Sequence, residues 1–122
     1  MSGDVPESGE AFELELLLDR LGGDAELVRE MAALYLEDKD SMLKTMRELA
    51  AAGDGNELAV RVHALKGVAL NFECPGLRLV AASAERALVA GRLETALALL
   101  PAVEREAEAL ADSLRRYLAT AT

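Results

Sequence analysis

His63 is the only histidine among 122 residues, and Lys66 and Gly67 follow it at offsets of three and four. On a helix those offsets place all three side by side within one turn. An imidazole can act as a nucleophile, and a neighbouring ammonium can offset an arriving anion such as a phosphoryl group. A glycine inside a helix costs roughly 1 kcal/mol relative to alanine, so Gly67 calls for a compensating use. Its missing side chain leaves room for another protein's backbone to reach the ring. Ala59, Val60 and Leu70 complete the strip, which is small and apolar where a solvated helix face would carry Glu and Lys. Such a strip suits docking around an imidazole. Taken singly the residues have plainer uses: Lys66 as a solvated lysine, Gly67 as a site of close helix packing. The docking reading therefore requires His63 and Gly67 to share an exposed face.

The elements that must hold this strip follow from apolar periodicity and punctuation. A short first helix over 12–21 stops at Gly22-Gly23. Asp24 can cap a long second helix over 25–52, with Leu27, Met31, Leu34, Tyr35, Met42, Met46 and Leu49 on its apolar face. The spacing predicts a third helix over 57–72 with Leu58, Val62, Leu65, Ala69 and Phe72 as its core stripe. Pro75 suits the start of a fourth helix, buried along Leu77, Val80, Ala81, Ala84 and Leu88 and ending at Gly91. The last segment, 93–119, carries Leu97, Leu100, Val103, Ala107, Leu110, Leu114 and Leu118, and Pro101 is expected to kink or split it. Short loops between long amphipathic helices favour antiparallel neighbours. The expected fold is all-α: an up-and-down antiparallel four-helix bundle with a short additional N-terminal helix. It would span 11–120, after a flexible tail over 1–10.

Composition agrees and excludes other classes. Apolar residues make up 52% but aromatics only 3%, so the core must be Leu, Ala, Val and Met, which suits helix on helix. The net charge of -9 with no basic stripe argues against a nucleic-acid partner. The start has no basic, apolar signal-peptide pattern, and no apolar run approaches a membrane span. A lone Cys74 offers no internal disulfide and fits a cytoplasmic protein.

Other polar residues have structural readings. Asn71 is expected to close the histidine helix, and Cys74 to fill a helix junction as a small apolar residue. Glu37, Asp38 and Asp40, like Glu104, Glu106 and Glu108, read as solvated surface. One His and one Cys give a zinc site little support, and no nucleotide-binding glycine loop is present.

The run His63-Ala64-Leu65-Lys66-Gly67, followed by Asn71, resembles the His-x-Leu-Lys-Gly motif of histidine-containing phosphotransfer (HPt) domains. The likeness extends to Leu17–Asp24, to Leu34-Tyr35-Leu36-Glu37-Asp38 and to Ala50–Gly55. It implies that His63 exchanges a phosphoryl group with an aspartate of a response-regulator receiver domain. Lys66 would assist electrostatically and Gly67 would permit close approach. The implied partners are a receiver domain, a hybrid histidine kinase, or both. The magnesium-binding acidic site would belong to the receiver, leaving this chain a monomeric phosphocarrier with no cofactor and no kinase activity of its own. Met1 and the short tail favour a free-standing protein. One position departs from the pattern: family members usually carry a second glycine where Glu73 stands, often followed by Ala in place of Cys74. Glu73 could tighten partner choice by repulsion, weaken transfer, or point into solvent. It keeps open a second function, a phosphate-independent adaptor that binds a receiver or kinase through the His63 face.

Overall fold

The computed structural model describes residues 10–120. Five helices follow in order: α1 (Leu14–Arg20), α2 (Ala25–Ala52), α3 (Gly55–Asn71), α4 (Pro75–Val89) and α5 (Leu93–Thr120). α3 packs against α4, α4 against α5, and α2 closes the ring by packing on both α5 and α3. The four long helices thus form the expected bundle, with α1 laid against its side. The expected tail lies outside the described residues except for Glu10, whose carboxylate pairs with Arg116 at 3.1 Å.

Local chemistry explains the helix boundaries. The Asp24 side chain accepts from the Leu27 N–H at 3.0 Å, and Asp54 accepts from the Glu57 N–H at 3.1 Å. These caps satisfy amides that the first helical turn leaves unpaired. The second cap starts α3 at Gly55, two residues ahead of expectation. α1 is shorter than expected at both ends. Pro101 does not split the last segment: α5 runs unbroken through it. The ring lies on the exposed side, while buried Leu100 and Val103 anchor the flanking turns, so one lost backbone bond is tolerated.

The core stripes of α3, α4 and α5 fall close to expectation, but α2 is turned from its expected face. Its buried line is Val28, Ala32, Tyr35, Lys39, Leu43 and Met46. Leu27 and Leu34 are exposed, while the smaller Val28 and Ala32 are fully buried. Lys39 is only 3% exposed. Its ammonium donates to Glu108 at 2.7 and 2.9 Å and to Asp40 at 2.7 Å. Burial would lower the Lys39 pKa, but the Asp40 and Glu108 carboxylates outweigh it and hold the pKa above the ordinary lysine value. Asp40 and Glu108 are therefore partners of a buried cation, and Glu104 pairs with Arg47 at 3.0 Å. Asp40 and Glu108 stay solvent-exposed as expected, at 88% and 48% of their side chains, while both pair with Lys39. Nearby, the Tyr35 hydroxyl donates to the Ala107 carbonyl at 2.8 Å, a second polar tie between α2 and α5.

Candidate functional site

α3 divides its residues between two sides. Leu58, Val62, Leu65 and Ala69 are buried, and Val60, His63, Gly67 and Leu70 project from nearly the opposite side. The His63 side chain is 65% exposed. No atom outside the helix lies within 4 Å of a Cβ built on Gly67. Gly67 is therefore not a helix-packing glycine. It shares the exposed face with His63, as docking requires.

The ring is anchored from the neighbouring helix. His63 Nδ1 lies 2.6 Å from Glu85 Oε2, and Lys66 Nζ lies 2.7 Å from Glu85 Oε1. Hydrogen bonding to Lys66 is the largest influence on the Glu85 carboxyl; burial opposes it, and the His63 contact adds to it. The balance holds its pKa below the ordinary 4.5, so at neutral pH it is an ionised, acceptor-only group. Nδ1 must then carry the proton it donates. In a neutral ring the lone pair falls on Nε2, which has no hydrogen-bond partner among the described residues. Lys66 is less free than expected, because its charge is already engaged beside the ring.

Glu85 is the site residue that sequence reading missed. It is the sole acid of α4, set immediately beside buried Ala84 and three positions before buried Leu88. A single carboxylate bordering a buried stripe was the available signal, but only the packing of α4 on α3 aims it at the ring.

At the end of α3 the chain turns through Glu73, with φ 55°. It is the only non-glycine at positive φ among the described residues; Gly22, Gly23, Gly53 and Gly91 are the others. The turn is a Schellman closure, with the Glu73 N–H bonded to the Leu70 carbonyl at 3.2 Å and the Cys74 N–H to Ala69 at 2.8 Å. The left-handed position explains why glycine suits it. Glu73 does not point freely into solvent: its carboxylate accepts from Arg20 Nε at 2.7 Å. A left-handed backbone costs roughly 1–2 kcal/mol for an L side chain, and an exposed ion pair returns about 0–1 kcal/mol. The pair is therefore no net gain in stability over glycine. Asn71 ends α3, its carbonyl bonded by Arg20 Nη2. Cys74 is buried at the start of α4, where burial, the main influence, pushes its thiol pKa up. That matches the filler role and not a reactive thiolate.

A family model described as Hpt domain matches residues 30–115, a span that includes His63, Lys66, Gly67, Glu73 and Glu85. The chain belongs to the HPt family. Hpt domains are phosphocarriers of histidine phosphotransfer in two-component signalling, and they engage receiver domains or kinases. No curated protein and no solved structure gives a significant match to this chain. Among the described residues, no helix is long and apolar enough to cross a membrane.

Proposed function

We propose that His63 is the phosphoacceptor and that this chain relays a phosphoryl group to or from a receiver aspartate. The observation that carries the reading is the Glu85 contact to Nδ1, which leaves Nε2 as the nucleophilic nitrogen of an exposed ring. In the forward step the Nε2 lone pair attacks phosphorus of the receiver's aspartyl phosphate. An N–P bond forms, the acyl O–P bond breaks, and its electron pair leaves on the receiver carboxylate. The ring becomes cationic while keeping its Nδ1 proton, and the Glu85 carboxylate stabilises that charge. The return step reverses these changes, the electron pair of the N–P bond going back to Nε2.

Glu85 is a positioning residue here, and Lys66 a cation it keeps within reach of the incoming phosphoryl oxygens. Gly67 leaves the receiver's loops free to approach. The acidic, magnesium-binding site belongs to the receiver. The chain works as a monomer in the cytoplasm, without kinase activity of its own.

The test is to incubate the chain with a phosphorylated receiver and follow the label. Wild type should acquire an acid-labile adduct, and His63→Gln should acquire none. Undiminished labelling of His63→Gln would overturn the relay. Normal receiver binding by that variant, with no wild-type label at all, would instead establish the adaptor role. Nothing in the site's geometry favours the adaptor over the relay.

A further inference from the structure

We infer that Arg20 and Glu73 form a clasp that fixes α1 beside the histidine helix and so selects which receiver this chain accepts. The inference rests on the phosphotransfer reading of His63.

The first reason is the residue at the turn. The ends of α1, α2 and α4 close through the left-handed glycines Gly22, Gly53 and Gly91. Among the described residues only the end of α3 carries a side chain at that position, and its stability cost is not recovered by the ion pair it makes. A strained residue that stability does not explain points to function.

The second reason is what the side chain holds. Arg20 Nη2 reaches the carbonyls of Leu70 and Asn71, the last turn of α3, while its Nε is held by Glu73. At the other end of α1, the Glu13 N–H donates to the Glu73 carbonyl at 2.9 Å. α1 has seven residues, of which only Leu17 is buried. Leu14 and Leu18 add partly buried contacts with the core, so the polar ties supplement a modest apolar seat for a helix too short to be stable alone. Glu73 thus grips α1 at both ends, through its carbonyl and its carboxylate.

The third reason is the surface this creates. Leu16 of α1, 57% exposed, and Leu70 of α3, 52% exposed, border one groove with Glu13, Glu73 and Arg78. Leu70 also belongs to the His63 strip, so groove and strip are one continuous surface. A receiver docked over His63 reaches the groove. Apolar Leu16 and Leu70 would then bind it, while the acid and base at the rim would reject receivers of mismatched charge.

The experiment uses the full chain, receiver domains phosphorylated with acetyl phosphate, and phosphoramidate as a small donor that needs no docking. Glu73→Gln and Arg20→Ala should raise KM for the preferred receiver up to about fivefold, the effect that losing one exposed ion pair can have on an equilibrium. The kcat and the phosphoramidate rate should stay at wild-type values, and the ranking of receivers should change. Glu73→Gly should show the same rise in KM while melting no lower than wild type, which separates docking from folding. Unchanged KM for every receiver in these variants overturns the clasp. So does a rise in KM matched by an equal loss of phosphoramidate labelling, which would place the effect at His63. Failure of the relay reading itself is distinguishable, because it appears as labelling that survives His63→Gln or as no wild-type label at all.

Discussion

Glu85 of α4 holds His63 of α3 at 2.6 Å through Nδ1, across a sequence separation of 22 residues. The same carboxylate takes the Lys66 ammonium on its second oxygen, at 2.7 Å. Ring orientation, tautomer and local charge are therefore properties of the α3–α4 pair and not of the histidine helix alone. A shift of α4 along α3 would disturb all three together.

Replacing Glu85 with Gln should slow phosphotransfer about tenfold, the scale on which partners that orient a functional histidine act. Single-turnover transfer from a phosphorylated receiver measures it. A Gln side chain can still accept from Nδ1, but it carries no charge to stabilise the cationic ring. Glu85→Ala should therefore be slower still, and His63 labelling by either variant at the wild-type rate would remove Glu85 from the mechanism.

The same contact has a definite pH sign. Because the folded-state pKa of Glu85 lies below 4.5, its stabilising contacts are fully present above that value. They are lost as pH falls through the lower, folded-state pKa. The melting temperatures of wild type and Glu85→Gln should differ at neutral pH and converge in acid below pH 4.5. Melting curves of the two proteins across that range check it.

Gly67→Ala should make the protein more stable by about 0.5–1 kcal/mol, since the new methyl meets no neighbour and the helix gains from losing a glycine. It should at the same time slow transfer from a receiver. Gly67→Leu should remain folded and lose receiver transfer far more severely. Thermal melts and transfer assays on the same preparations would show stability and transfer moving in opposite directions for Ala.

Lys39 offers a test away from the site. Glu108→Ala leaves a buried ammonium with Asp40 as its remaining carboxylate and should destabilise the fold by about 1–3 kcal/mol. Lys39→Met removes the charge and keeps the volume, so it should change stability by less than about 1 kcal/mol or raise it. Denaturant unfolding of the two variants decides it. Neither should alter His63 chemistry.

Most of the bundle was legible because Leu and Ala recur at helical spacing and Gly, Asp and Pro punctuate the chain. The histidine strip was legible for the same reason: a core stripe at Leu58, Val62, Leu65 and Ala69 leaves His63 and Gly67 no place but the exposed side. The face of α2 was misjudged by weighting large side chains, whereas the smaller Val28 and Ala32 are among the residues it buries. Lys39 went unnoticed because a cation inside an apolar line is recognisable only once its partner Glu108 on another helix is placed. Glu85 was hidden in the same way. The clasp was half visible: the departure at Glu73 could be noted, but its left-handed backbone and its grip on Arg20 depend on where α1 comes to rest.

The division of α3 into a buried and an exposed side has an evolutionary corollary. Val60 and Leu70, both exposed, can be exchanged with little effect on folding, while buried Leu58, Val62, Leu65 and Ala69 cannot. Duplicated copies of such a gene could acquire new signalling connections by drift on one side of a single helix, with the scaffold unchanged. An engineer seeking an insulated signalling channel could follow the same route, leaving His63, Lys66, Gly67 and Glu85 in place and rewriting only the residues around them.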